Sequence, residues 1–269
     1  MSRQTGGSAA RPINGSRQPP PWLPLLRRLS DISPGWGVWK NADRAITISG
    51  DIDSVSPPAD RGPLLREFSS WASSNSMGPV FVCRHLPGSV LGVALRDRRE
   101  LVELQLCERA MFRGSTLFTA ADLAPLMMMD GRGFRRLRPG AEGFLLLFHN
   151  AMGRGGRPRL HGRKAARVLR LMREDPEGME AATEVFGSVQ EDARRVALAA
   201  LDRAWDRRAA LHVELWAIAR GLRSVRSFAA RGVYSLSGGR YCALLPVLRR
   251  GRQLDGDVDA WLRRAIRTH

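Results

Sequence analysis

Long apolar runs are missing from this chain. No stretch of its 269 residues approaches the ~18 apolar positions needed to cross a bilayer. Residues 1–21, rich in Gly, Ser, Arg, Gln and Pro, have no apolar core of a signal peptide and read as a disordered tail. Cysteine is scarce. Cys83, Cys107 and Cys242 form no CxxC pair and are odd in number, which excludes a disulfide framework and points to a reduced, cytoplasmic setting. Lysine is rarer still, at Lys40 and Lys164 alone, so arginine carries the basic charge. Acid is in deficit: 43 basic residues face 26 acidic ones, for a formal charge of +17. A field of that sign attracts phosphates, whether on nucleotides or on nucleic acid.

What is present is globular. Hydrophobic residues make up 43% of the chain, and its 269 residues are enough for one large or two ordinary domains. Order is expected to begin after Pro19-Pro20-Pro21, with a short helix at Trp22-Leu23 and Leu25-Leu26. Trp36, Trp39, Ala42 and Ile46 follow helical spacing and predict a helix over 36–46. A strand over Ile46 to Val55 comes next, then a helix carrying Leu64, Leu65, Phe68 and Trp71. Strands are predicted at Pro79–Cys83, Val90–Leu95 and Leu101–Leu106, the last two joined by a hairpin turn over 96–100. Beyond them the chain reads as helical: Ala120–Met129 opened by Thr119, Gly140 to Met152, Arg163 to Arg173, Met179–Phe186, Asp192–Trp205, Leu211–Leu222, Ala243–Leu248 and Val258–Ile266. The fold class expected is α+β: an α/β domain with a small mixed sheet over 22–115, followed by a mostly helical domain over 116–269.

One motif carries chemistry. In Gly50-Asp51-Ile52-Asp53-Ser54, alternation along a strand puts Asp51 and Asp53 on one face and Ile52 in the core. Two adjacent hard oxygen ligands suit Mg²⁺ carried in with a nucleotide's phosphates. On the strand Leu101 to Leu106, Glu103 and Gln105 share a face, and Glu103 is the one able to be a third anionic ligand. Taken alone, an Asp-x-Asp more often caps a turn or pairs with arginine.

The run Trp39-Lys40-Asn41-Ala42-Asp43-Arg44, followed by Gly50-Asp51-Ile52-Asp53-Ser54, resembles the active-site signature of the nucleotidyltransferase superfamily, the DNA polymerase beta-like fold. That signature has Gly-Gly or Gly-Ser at a helix start, a spacer of roughly ten residues, an Asp-apolar-Asp, and a third carboxylate on a later strand. The resemblance spans residues 36 to 110 in its motifs and implies a mixed sheet followed by a helical domain. It implies Mg²⁺, in a site of one or two ions held by Asp51, Asp53 and Glu103, and a nucleoside triphosphate such as ATP as substrate. Lys40, Asn41, Arg44, Gly50 and Ser54 fall where the nucleotide would be held, with Lys40 and Arg44 one helical turn apart. Lys40-Asn41 departs from Gly-Ser and is closer to a divergent bacterial branch whose motif begins Leu-Lys-Gly. The activity implied is transfer of a nucleoside monophosphate to an acceptor hydroxyl, the acceptor itself being unspecified.

A second, non-catalytic reading comes from charge. Arg132 to Arg173 holds twelve basic residues and one acid, Glu142. The Gly-rich segment 130–140 reads as a basic loop able to grip RNA or another anionic partner, or as a solvated connector. The fold would then be a module binding nucleic acid or a protein through that surface. No helix pairs a basic face with a Trp-rich one, so a membrane partner is not expected. Met127-Met128-Met129 reads as core. Cys83-Arg84-His85 has no second ligand pair for a metal. His149, His161 and His212 have no assigned role.

Overall fold

Trp22, Leu25, Leu26 and Leu29 recur at helical spacing, and α1 (Trp22–Ile32) buries all four. The computed structural model describes residues 22–47, 51–78, 80–86, 88–97, 100–113, 115–159 and 161–222. The helices expected at Ala243–Leu248 and Val258–Ile266, the tail over 1–21, and Gly50 lie outside the described residues.

After α1 come β1 (Gly37–Val38), α2 (Ala42–Thr47), β2 (Asp51–Val55), α3 (Arg61–Ser74), β3 (Val80–Leu86), β4 (Ser89–Asp97) and β5 (Glu100–Cys107). A separate hairpin, β6 (Arg109–Phe112) with β7 (Ser115–Thr119), leads to α4 (Ala120–Leu123). Then follow β8 (Met127–Met129), β9 (Arg135–Leu137), α5 (Pro139–Ala151), α6 (Gly162–Glu174), α7 (Pro176–Ala182), α8 (Gln190–Leu201) and α9 (Arg207–Leu222). The described strands other than β6 and β7 form a seven-stranded mixed sheet in the order β3-β4-β5-β2-β1-β9-β8. The fold is therefore mixed α and β, as expected, with a sheet larger than the sequence suggested.

Two apolar cores flank the sheet. Ile52, Leu104 and Leu106 face α1 and α3, where Trp36, Val38, Phe68 and Trp71 join them and Trp22 stacks on Trp71 with centroids 4.8 Å apart. Val55 and Cys107 point the other way, into the core built by α5 to α9 around Phe144, Phe148 and Phe186. Alternation along β2 and β5 thus sends odd and even positions into different cores.

Three expectations are corrected. Residues 36–46 do not form one helix. Gly37 and Val38 pair antiparallel with Val55 and Ser54, and Asn41 adopts a left-handed φ of 60°, which an α-helix does not admit. The helical spacing of Trp36 and Trp39 reported burial correctly, but the two enter opposite cores. The helix expected over Ala120–Met129 is α4, started by a Thr119–Asp122 capping box and a 3₁₀ turn with Pro125 near its start. Met127–Met129 then pairs with β9, and Met128 and Met129 are 42% and 53% exposed rather than core. Finally, the basic segment 130–140 is the tip and second strand of that hairpin and the start of α5. Through Val38↔Arg136 it adds to the sheet from beyond residue 115.

Candidate functional site

The acids come together through strand register. β2 and β5 run parallel, with Asp51 opposite Glu103 and Asp53 opposite Gln105. Neighbouring strands lie ~4.8 Å apart, so these four side chains occupy adjacent positions on one face. Asp51 is exposed and Glu103 half-buried. Asp53 is 3% exposed. Gln105 turns its amide to Ser89 on β4, donating from Nε2 to Oγ at 3.2 Å.

Lys40 reaches Asp53. Its Nζ lies 2.9 Å from Oδ1 and 5.0 Å from the Trp39 ring centroid, a cation–π distance. Burial pushes the Asp53 carboxyl above its ordinary range and nearby Asp51 adds to that, while Lys40 and a hydrogen bond from Asn41 pull it down. Lys40 precedes α2 in irregular backbone, so it and Arg44 are not one helical turn apart. Of Arg44 only the backbone, within α2, is described. Asn41 takes a left-handed φ of 60°, and asparagine is among the few residues that adopt this conformation readily.

A buried ion network holds this corner, and sequence reasoning missed it. The Asn41 backbone N–H donates to Glu142 Oε1 at 2.8 Å. Glu142, on α5, is 1% exposed and also accepts from Arg136 Nη2 at 3.1 Å. Arg167, on α6, bridges Glu142 and the Asn41 side chain. Arg136 and Arg132 both reach Asp43 in α2, at 3.1 and 3.0 Å. Burial pushes the Glu142 carboxyl up, against the pull of Arg167, the Asn41 N–H and Arg136. The one acid in a basic stretch was the available signal, because a lone carboxylate among guanidiniums is a natural pairing centre.

Ser54 does not join the acids. It points to the opposite core, accepting from Trp36 Nε1 at 3.0 Å and donating to the Gln105 carbonyl at 2.6 Å. His149, by contrast, sits edge-on to Trp39 with centroids 5.4 Å apart, its basicity lowered by burial. The Cys107 thiol, raised to about 11 mainly by burial, is protonated and inert at neutral pH. Among the described residues, no three His, Cys, Asp or Glu side chains converge closely enough to hold a metal by themselves. The donors still fit a hard cation. They are carboxylate oxygens on neighbouring strands, and the Lys40 ammonium already stands in for positive charge on Asp53.

The basic stripe is not uniform. Arg132, Arg136, Arg138, Arg167 and Arg170 are committed to acids. Arg154, Arg157, Arg159, Arg163 and Lys164 are exposed. No described helix is long and apolar enough to cross a membrane. No protein-family model matches the chain, and no curated protein or solved structure is significantly similar to it.

Proposed function

We propose that this chain is a Mg²⁺-dependent nucleotidyltransferase that moves a nucleoside monophosphate from a nucleoside triphosphate to an acceptor hydroxyl. The observation that carries the reading is the parallel register, which sets Glu103 beside Asp51 and diagonal to Asp53 on one sheet face. Asp51 and Asp53 would hold the metal together with phosphate oxygens, since Mg²⁺ is commonly bound by one or two carboxylates plus substrate. When bound, the metal neutralises the phosphates and stabilises the attacking and leaving oxygens.

The residues divide the remaining work. The acceptor oxygen attacks the α-phosphorus, the bond to the β-phosphate oxygen breaks, and pyrophosphate leaves. Glu103 accepts the acceptor's proton. Lys40 moves from Asp53 to the β- and γ-phosphates as a point charge. Asn41 fixes the turn on which Lys40 rides.

The test is calorimetric titration of the full chain with each of the four Mg-nucleoside triphosphates. Binding of at least one is expected, with loss on chelation of Mg²⁺ and in Asp51→Asn. Asp51 is exposed, so that substitution leaves the fold intact. Nucleotide binding indifferent to both Mg²⁺ and Asp51→Asn sinks the reading. The second reading, a binding module without turnover, is favoured by the lack of three converging ligands among the described residues. It expects no Mg-nucleotide binding at all.

A further inference from the structure

Five of the twelve basic residues in 132–173 are unlike the rest. Among the described residues, Arg154, Arg157, Arg159, Arg163 and Lys164 are exposed, and their side chains make no ion pair or hydrogen bond. They lie on the loop between α5 and α6 and on the first turn of α6. Arg207, at the start of α9, reaches the same loop, its Nε 3.5 Å from the Gly155 carbonyl.

The loop is anchored rather than loose. Trp205 Nε1 donates to the Gly156 carbonyl at 2.6 Å, and the Gly156 N–H donates to Glu214 at 2.7 Å. The nearby acids do not neutralise the cluster. Glu214 is buried and paired with Arg113 at 3.0 Å, and Asp206 is paired with Arg195 at 2.6 Å.

The first turn of α6 breaks a local rule. It has no acidic residue and no side-chain cap from His161, and it places Arg163 and Lys164 at the positive end of the helix dipole. Cations there oppose the dipole, so the arrangement disfavours the helix and favours an anion from outside. Arg163 and Lys164 also precede Arg167 by four and three positions, which puts them on its side of the helix. Arg167 touches Asn41, beside Lys40. Arg163 and Lys164 therefore lie one helical turn from a residue that touches the candidate site.

We propose that Arg154, Arg157, Arg159, Arg163, Lys164 and Arg207 form a surface that binds a single strand of RNA and lays it toward the Lys40–Asn41 corner. Regularly spaced phosphates match a row of unpaired cations. RNA offers a hydroxyl on every sugar, which suits a hydroxyl-directed transfer; this assignment of the acceptor rests on the reading above, whereas the surface itself does not. A bilayer is a poorer match. The exposed described side chains from 154 to 164 are basic residues, Pro158 and His161, with no aromatic or large aliphatic group to insert.

The experiment is fluorescence anisotropy of the full chain with a fluorescein-labelled RNA strand of about twenty nucleotides, between 50 and 200 mM KCl. Each phosphate contact contributes roughly 0.7 to the slope of log K against log salt for a single strand. Replacing Arg157, Arg159, Arg163 and Lys164 together by Ala should lower that slope by about 3, with an unchanged melting temperature. Replacing the acid-paired Arg170, Arg194 and Arg195 should change it by less than about 1. An unchanged slope in the fourfold variant overturns the surface, as does patch-dependent binding to phosphatidylserine vesicles with no RNA binding. Asp51→Asn should keep RNA binding and lose transfer of label from Mg-nucleotide to RNA. If RNA binding needs the patch but the parent labels no RNA, the surface stands and the acceptor assignment falls. If Mg-nucleotide binding persists while RNA binding ignores the patch, the surface falls and the nucleotide-binding reading stands.

Discussion

Glu142→Gln tests the network that fixes the candidate site. The substitution keeps volume and an acceptor for the Asn41 N–H but removes a charge that is 1% exposed. Two guanidiniums then lose their shared partner. Arg167 keeps only the neutral Asn41 side chain, whereas Arg136 retains Asp43 at 3.1 Å and Asp130 at 3.5 Å. Breaking a buried pair by removing one member costs ~3–5 kcal/mol. The lower end applies, because Arg136 is still compensated. At roughly 2–4 °C per kcal/mol for a folded region of this size, about 3 kcal/mol lowers the melting temperature by about 6–12 °C. Glu174→Gln is the control. It breaks an exposed pair, Arg170 to Glu174 at 2.7 Å with side chains 55% and 47% exposed, worth under about 0.5 kcal/mol. Thermal melts by circular dichroism at neutral pH compare the three proteins. A Glu142→Gln melt within about 2 °C of the parent would refute the claim that this carboxylate neutralises both arginines.

Two further outcomes follow from packing and charge. A Cβ on Gly140 would lie 1.8 Å from the Asp175 carbonyl oxygen and 2.5 Å from the Met179 amide nitrogen. Both obstacles are backbone, so Gly140→Ala should destabilise by about 3 kcal/mol or more, read as a lower urea midpoint. Asp130 is held at about 2, against an ordinary 3.8, chiefly by the hydrogen bond from Arg132. Its stabilisation is complete above the ordinary value and is lost as pH falls from near 4 toward 2. Acid titration of the melting temperature should therefore show a decline in that window that is shallower in Asp130→Asn, and equal slopes would count against the Arg132 contact.

Strand alternation makes much of the candidate site legible in the sequence. The pairing of Asp51 with Asp53, the burial of Ile52 and the shared face of Glu103 and Gln105 all follow from a period of two, which one segment sets by itself. Glu103 opposite Asp51 was not legible, because register between β2 and β5 is set by hydrogen bonds and cores across half the domain. Ser54, expected to help hold the nucleotide, faces the other core for a related reason: being adjacent in sequence to Asp53 puts it on the opposite face.

The same boundary runs through the rest of the chain. Local sequence determined α1, α3, α5 and the β4–β5 pair, where apolar spacing agrees with the packing each segment meets. Tertiary structure alone decided that residues 36–41 cross between two cores instead of coiling, and that Met127–Met129 joins the sheet. It also decided which arginines are spent on acids and which face solvent. Composition counts charges, but whether a guanidinium is free depends on carboxylates that are distant in the chain and adjacent in the fold.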